Sequence, residues 1–140
     1  MTTIEHGTAR EATSTLPSSH RALERRVAVT LLAGVGAFQF ALAAGAPWGA
    51  AAWGGQTPGV LPTSLRVASG IAVLVYGGLA ALVVTDRLGS TARRRLLTGA
   101  SLLMVLGSVA NLASQSPVER LWAPVAATLA LMLWRVRRAR

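Results

Sequence analysis

The sequence predicts an all-α protein: a four-helix transmembrane bundle with both termini in the cytoplasm and a structured outer loop between helices 1 and 2. Of its 140 residues, 52% are hydrophobic and only 14% are charged, whereas soluble domains carry roughly 25% charged residues. The apolar residues collect in segments of about 20, the length that crosses a hydrocarbon core of roughly 30 Å. The charged residues flank these segments, as is typical of membrane proteins.

The basic residues of the chain are all arginine. Fourteen basic residues set against five acidic ones give a formal net charge of +9, which is also typical of proteins that bind nucleic acid. A surface for nucleic acid would need aromatic side chains among the basic ones, but the tryptophans lie away from the arginine clusters. We therefore expect no nucleic-acid partner and assign the charge to membrane topology.

Residues 1–22 are predicted to form a disordered tail, and residues 23–140 to form the membrane domain. The tail is rich in Ser and Thr and has no apolar period, so it cannot bury enough surface to offset its chain entropy. The first span follows at residues 27–45, and Gln39 is its only strongly polar side chain.

The second and third spans are predicted at residues 67–85 and 96–114, and both reach spanning length. The fourth, at residues 118–136, contains a shorter apolar run of about fourteen residues and reaches spanning length only with flanking side chains that snorkel. Pro124 falls in or just after the first turn of this span, where its missing N–H costs least.

The positions of the arginines predict the topology. Twelve of them lie before the first span, between the second and third spans, or after the fourth, whereas only Arg66 and Arg120 lie on the opposite side. Because short cytoplasmic loops retain positive charge, we expect both termini on the cytoplasmic side of the plasma membrane. The long connection at residues 46–65 is then external.

An alternative for the first span is a cleaved secretory signal. Arg25 and Arg26 precede an apolar stretch that ends in Ala-Leu-Ala at 41–43, whose small residues at the first and third positions are typical of cleavage before Ala44. The long tail and a ladder of small residues favour a retained helix, since residues four apart share one face and let membrane helices approach closely. The ladder consists of Ala33, Ala37, Ala41 and Gly45.

A weak internal repeat relates the two halves of the chain. The sequence ALAAGAPW at 41–48 aligns with NLASQSPV at 111–118, and each segment ends a helix that is predicted to run outward. Two helical hairpins in parallel repeat would produce this pattern, as in some transporters.

The sequence predicts no catalytic residues, no cofactor and no metal site. Both histidines, His6 and His20, lie in the predicted tail, the chain contains no cysteine, and the apolar runs contain no acidic residue. These absences exclude a recognisable metal cluster, a proton relay within the membrane and a Ser-His-Asp arrangement.

The remaining polar residues converge at the outer ends of all four predicted spans. Gln39 and Asn111 are expected to face the bundle interior, because an unpaired amide in hydrocarbon costs several kcal/mol. Arg66 and Glu119 have opposite charge at similar depth, and we expect an ion pair between them. The cluster is either a structural latch, a pocket for a small ligand or a docking surface, and it comprises Gln39, Arg66, Ser69, Asn111, Ser114, Glu119 and Arg120.

The aromatic residues are predicted to have structural roles. Trp48, Trp53 and Trp122 fall at the outer boundary and Trp134 at the inner one, where indole rings settle at the level of the lipid head groups. Tyr76 lies in the middle of its span, and we expect its hydroxyl to bond a neighbouring carbonyl.

Together, these outer motifs resemble a family of small, uncharacterised four-helix integral membrane proteins of Gram-positive bacteria of the actinobacterial and Bacillus type. The resemblance covers about residues 27–134 and implies four membrane helices, without a catalytic or binding role. It is carried by GAPWG at 45–49, WGG at 53–55, GVLP at 59–62, RVAS at 66–69, NLASQSPVER at 111–120, and Pro124.

Three functions are consistent with the sequence. The first is a non-enzymatic membrane protein that binds or transports a small solute through the outer polar cluster, which predicts a cavity lined by that cluster. The second is a structural or accessory subunit that docks a partner through the outer loop, with Trp48, Trp53 and Val60 exposed. The third is a lipid-modifying enzyme with Glu119 as acid or base. The expected partners are the lipid bilayer and a second copy or another membrane protein.

Overall fold

The structure is a computed structural model that describes residues 16–85 and 88–138, and within these residues the chain is all-helical. Three of its helices are long and apolar enough to cross a membrane. The elements are α1 (Leu16–Ala44), a 3-10 turn (Gly49–Ala51), α2 (Thr63–Val84), α3 (Ser90–Ala113), the single-turn α4 (Pro117–Arg120) and α5 (Trp122–Val136).

Helix α1 begins earlier than predicted. Residues 16–22, which the sequence analysis assigns to the tail, are helical; residues 1–15 lie outside the described residues. The segment RALERR at 21–26 consists of good helix formers, and once the apolar part of α1 nucleates a helix, these residues extend it. The hydropathy pattern marks only the apolar part of this helix.

The fourth arm of the bundle is interrupted. Helix α5 has 15 residues, about 22 Å at the usual rise, and the turn of α4 precedes it across Leu121. Pro124 explains the interruption, because it has no N–H for the carbonyl four residues before it and its ring crowds that carbonyl. Leu121 keeps right-handed helical angles (φ −63°, ψ −20°), so residues 117–136 together reach about 30 Å.

The helices run alternately up and down. Arg25 Nη2 donates to Val84 O over 2.9 Å, which brings the start of α1 beside the end of α2. Arg135 Nη1 lies 3.4 Å from Glu24 Oε1, so the end of α5 reaches the same place. We call this the termini end of the bundle, and we call the opposite end, which carries the α1–α2 connection, the lid end.

The bundle is assembled from two helical hairpins. Helix α1 packs along α2, α3 packs along α5, and α1 also contacts α5, whereas α2 and α3 scarcely touch each other. The main core draws buried side chains from all four long helices, α1, α2, α3 and α5. Its buried members are Ala28, Leu32, Val83, Leu97, Met104, Leu129, Ala130, Leu133 and Val136.

Most of the long apolar side chains of α2 and α3 face outward. Leu74 is 76% exposed and Leu106 is 67% exposed, an arrangement that suits lipid and would be unfavourable in water. The small-residue ladder of α1 is not the packing face of that helix, because Ala33 and Ala37 are exposed. Helix α1 instead buries the larger Leu32 and Leu42.

Candidate functional site

The connection between α1 and α2 folds into a compact cap, residues 46–62, which we call the lid. Trp48 and Gly59 form an isolated bridge, and Gly49 N–H donates to Gly59 O over 2.9 Å. A Cβ at Gly49 would overlap Thr57 O, so this close approach of two backbone segments requires glycine.

The underside of the lid is apolar. Ala52 and Leu61 are buried together with Leu42 of α1. The Phe38 ring stacks on Trp48, with centroids 6.1 Å apart, and lies 4.5 Å from the Trp122 ring. The lid therefore packs into the lid end of the bundle, as a structured outer loop would.

Three hydrogen bonds tie the lid to the second hairpin. Ser116 Oγ donates to Ala50 O over 2.6 Å, and Trp122 Nε1 donates to Ala51 O over 3.1 Å. Gly54 N–H donates to Glu119 Oε1 over 2.9 Å. Since Ser116, Glu119 and Trp122 come from α4, its cap and the first residue of α5, the single turn of α4 is the platform on which the lid rests.

Glu119 is the most buried acidic side chain in the described part of the chain, with 6% of its surface exposed. Ser114 Oγ donates to its other oxygen, Oε2, in a short hydrogen bond. The Ser114 hydroxyl itself accepts from Ser116 N–H over 3.1 Å, which leaves the hydroxyl proton for Glu119. Both carboxylate oxygens thus accept hydrogen bonds, one from the lid and one from the residue that follows α3.

The ion pair expected between Arg66 and Glu119 is not formed. Arg66 Nε donates to Ala43 O over 3.0 Å, and its guanidinium group lies against Gly45. Arg120 Nε donates to Ser114 O over 2.7 Å. Each arginine thus pairs with a carbonyl at the lid end of a helix, α1 or α3, where unpaired carbonyls and the helix dipole favour a cation.

Ser69 is fully buried behind the lid, where its hydroxyl accepts from Trp53 Nε1 over 3.0 Å. Trp53 has a φ of +55°, a left-handed conformation that costs a side chain with a Cβ about 1–2 kcal/mol. The bond to Ser69 helps to hold Trp53 in this conformation. Its ring is directed toward the bundle.

A cavity of about 290 Å³ lies beneath the lid, between the two hairpins. Its wall is mostly apolar, with polar side chains from four helices, and this composition is typical of ligand sites in proteins. The lining residues are Val35, Phe38, Gln39, Ala51, Ala52, Trp53, Ala72, Tyr76, Met104, Gly107, Asn111, Glu119, Trp122, Val125, Ala126 and Leu129.

The polar side chains of the cavity are incompletely satisfied within the described residues. Gln39 Oε1 is buried and has no hydrogen-bond partner there. The side chains of Tyr76 and Asn111 also line the cavity, and neither forms a hydrogen bond within residues 16–85 and 88–138. The carbonyl partner expected for Tyr76 is therefore not observed. Of the three, only Gln39 has a polar atom that is both buried and without a partner, and such groups are costly, so this part of the cavity wall points to an occupant.

A groove on the outside of the bundle adjoins this cavity. It lies where α2 and α3 diverge, has a volume of about 340 Å³, and is lined by Ile71, Val75 and Leu103 together with residues of the cavity wall. The residues shared between groove and cavity are Trp53, Ala72, Tyr76 and Met104. These four residues lie where the cavity adjoins the apolar outer surface.

The predicted cluster divides into three groups. Gln39, Asn111 and Glu119 line the cavity, Ser69 and Ser114 support its wall from behind, and Arg66 and Arg120 hold helix ends. Sequence reasoning assigned Trp53 and Trp122 to the membrane boundary and did not place Tyr76 in the site. The glycines that follow Trp53 were the available signal that the lid turns inward there.

Within residues 16–85 and 88–138, these features define an all-helical protein with three helices suited to a membrane and a lidded internal cavity at one end. Comparison of the chain with protein families, with curated proteins and with solved structures gives no match. The resemblance to the Gram-positive membrane family stays a prediction.

Proposed function

We propose that this protein is a multi-pass membrane protein that binds a small amphiphilic molecule in the cavity beneath its lid. The observation that carries the proposal is the mostly apolar cavity of about 290 Å³, whose wall includes Gln39, a residue with a buried Oε1 that has no partner in the described chain. A ligand with an apolar body and a polar head would fill the cavity and satisfy this oxygen.

The position of the cavity favours a ligand that reaches it from the membrane. The groove between α2 and α3 is lined by apolar side chains and shares four residues with the cavity wall. An amphiphile partitioned into the bilayer is already concentrated beside this groove, because its apolar part prefers hydrocarbon. Movement of Trp53 or Met104 would connect the two spaces.

We propose binding and not catalysis as the task of Glu119. Its oxygens are engaged by Gly54 N–H and by the Ser114 hydroxyl, so the carboxylate holds the lid on α4. A general acid or base must exchange a proton with its substrate, whereas these two bonds hold the carboxylate as an acceptor that anchors the lid and still has lone pairs for a cationic group.

We also propose that both termini lie in the cytoplasm and the lid lies outside the plasma membrane. The arginines of the described termini end come from α1, α3 and α5, whereas the lid end carries only Arg66 and Arg120 among the described residues. This asymmetry follows the positive-inside rule, provided that α4 and α5 cross the membrane together.

Filling the cavity tests the proposal. Gly107 lines the cavity, and a Cβ built there meets nothing within 4 Å, so Gly107→Leu adds volume inside without a clash at its first atom. We expect the purified variant to bind the fluorescent probe 1-aminoanthracene at least about tenfold more weakly, or roughly 1.4 kcal/mol. Energy transfer from tryptophan to the probe reports binding.

Gly99→Leu is the matched control. Gly99 lies on the same helix, also has nothing within 4 Å of a built Cβ, and faces outward away from the cavity. Both substitutions raise helix propensity equally, so only a change specific to Gly107→Leu reports the cavity. Equal affinity in Gly107→Leu and the native chain would contradict binding beneath the lid.

A second candidate function is that of an accessory subunit that docks a partner through the lid. It is favoured by the exposure of Trp48 (50%), Trp53 (44%) and Val60 (52%), since aromatic side chains are enriched at interfaces. The two candidates differ in what filling the cavity does. In a deletion strain, a docking subunit with Gly107→Leu would restore function as well as the native chain, whereas a ligand-binding protein would not.

A further inference from the structure

The wall of the cavity carries an excess of hydrogen-bond acceptors and a carboxylate without a cationic partner. Gln39 Oε1 has no donor, and Glu119 accepts only from neutral groups, the Gly54 N–H and the Ser114 hydroxyl. Within residues 16–85 and 88–138, no arginine or histidine nitrogen lies within 4 Å of Glu119. Such a wall attracts positive charge.

The arginines of the lid end do not supply that charge. Arg66 is bonded to Ala43 O, and Arg120, although adjacent to Glu119 in sequence, is bonded to Ser114 O. Moving either guanidinium to Glu119 would leave a helix-terminal carbonyl unpaired in apolar surroundings, at a substantial cost. The negative side of the cavity therefore stays available to a ligand.

The aromatic residues of the cavity also suit a cation. The rings of Trp53, Tyr76 and Trp122 contribute to the wall, and the faces of aromatic rings attract cations, most strongly where water is excluded. The wall also contains aliphatic side chains such as Val35, Val125 and Leu129, which would hold an apolar chain.

We propose that the ligand is an amphiphile with a cationic head that donates hydrogen bonds, such as a primary ammonium on an apolar chain. This inference rests on the proposed function, since it assumes that the cavity binds a ligand. The ammonium donates to Gln39 Oε1 and lies beside the Glu119 carboxylate, while the apolar chain packs toward Leu129. A carboxylate head is disfavoured, because it brings like charge to Glu119 and leaves Gln39 Oε1 without a donor.

The test compares three ligands that share one tail: octylammonium, 1-octanol and octanoate. Each displaces 1-aminoanthracene from the purified full-length chain in lipid nanodiscs. We expect octylammonium to compete at a concentration at least about tenfold below that of octanoate, with 1-octanol between them. Equal potency, or tighter binding of octanoate, would overturn the proposed head group.

Two variants connect the preference to the named side chains. Glu119→Gln keeps an acceptor for Gly54 N–H and removes the charge, and we expect it to bring octylammonium and 1-octanol within about threefold of each other. Gln39→Met preserves the size of the side chain and removes the acceptor, and should weaken octylammonium severalfold. Gln115→Met is its control, because Gln115 is exposed and lies outside the cavity.

The outcomes separate the two proposals. If Gly107→Leu abolishes binding of all three ligands but Glu119→Gln leaves the order unchanged, the head-group inference is wrong and the proposed function stands. If Gly107→Leu changes the binding of none of them, both fail.

A last experiment asks where the ammonium comes from, by adding phosphatidylethanolamine to phosphatidylglycerol nanodiscs. If the lipid competes for the cavity, the apparent affinity for octylammonium falls, and the natural ligand is a lipid head group. If the affinity is unchanged, the natural ligand is a free solute.

Discussion

At the scale of single residues, the arginines of this protein do more than mark its topology. Arg66 and Arg120 each donate Nε to a carbonyl at the lid end of a helix, α1 and α3 respectively. At the termini end, Arg25 donates to Val84 O and Arg93 to Leu82 O, so two arginines bond the last carbonyls of α2. Carbonyls at helix ends have no intrahelical donor, and leaving one unpaired within a membrane costs several kcal/mol.

The bonds to helix-terminal carbonyls also give a physical reason why these positions are arginine. Lysine carries the same charge and would determine membrane topology equally well. The guanidinium group presents five N–H donors in a fixed plane, whereas an ammonium acts as a strongly hydrated point charge. Arg93 uses two of its nitrogens, since Nε bonds Leu82 O and Nη2 reaches Val83 O at 3.5 Å. One side chain thereby serves two carbonyls.

The first residue-scale prediction concerns Arg66. Arg66→Met keeps the length of the stem but removes the charge-assisted bond to Ala43 O, and we expect the free energy of unfolding to fall by about 1.5–3 kcal/mol. Unfolding in mixed micelles, followed by circular dichroism, measures the change. Arg95→Met is the control, because Arg95 is exposed; a loss as large as that of Arg66→Met would show that charge, and not capping, is responsible.

The sequence predicted the depth of the polar residues better than their partners. Gln39 and Asn111 line the interior cavity as expected, because an amide in an apolar span has few alternatives. The ion pair between Arg66 and Glu119 was predicted only from their opposite charges and similar depth, and it does not form. Depth does not fix the direction in which a side chain points around its helix, and backbone carbonyls and N–H groups, which compete for both charges, are invisible in the sequence.

At the scale of elements, the lid depends on glycine at the point where it meets α4. Gly55 has a φ of +67°, and a Cβ there would overlap Ser116 Cβ. Ser116 is also the N-cap of α4, where its hydroxyl accepts from Glu119 N–H. A displacement of Ser116 would therefore disturb the lid and the platform beneath it together.

Gly54 and Gly55 provide a matched pair for testing this contact. Both have positive φ, but a Cβ at Gly54 meets nothing within 4 Å. Gly54→Ala should lower the free energy of unfolding only by the cost of a left-handed backbone at a residue with a Cβ, about 1–2 kcal/mol. Gly55→Ala adds the overlap with Ser116 and should make the lid sensitive to protease. Limited proteolysis of the purified chain in micelles measures the difference. Equal cleavage in both variants would mean that the lid is not anchored on Ser116.

The long helices were predictable because apolar runs of spanning length leave few alternatives. The predicted spans at residues 67–85 and 96–114 fall within one residue of the C-terminal ends of α2 and α3. Their N-terminal ends were placed too late, since Thr63–Arg66 and Ser90–Arg95 form polar helical turns that a hydropathy pattern does not register. The break at Leu121 follows from Pro124, which the sequence placed correctly in the first turn of α5.

At the scale of the whole molecule, the cavity follows from how the two hairpins meet. They are joined through α1 and α5, while α2 and α3 remain apart, and the space left at the lid end is closed by Ala51, Ala52 and Trp53. Each hairpin also has an arginine that bonds the lid end of its first helix. This shared device agrees with the weak repeat between residues 41–48 and 111–118, although neither sequence alone indicates that a cavity would lie between them.

The last prediction concerns how the bundle is placed in the membrane. The native chain contains no cysteine, so single cysteines report position without background. Gln56→Cys places a thiol in the lid, and His20→Cys, Ser90→Cys and Arg138→Cys place one at the termini end, all at exposed positions. If both termini are cytoplasmic, a membrane-impermeant maleimide should label only Gln56→Cys in intact cells and all four variants after permeabilisation. If Arg138→Cys is labelled in intact cells but His20→Cys and Ser90→Cys are not, α5 does not complete a fourth crossing. If the three termini-end variants are labelled in intact cells and Gln56→Cys is not, the proposed orientation is reversed.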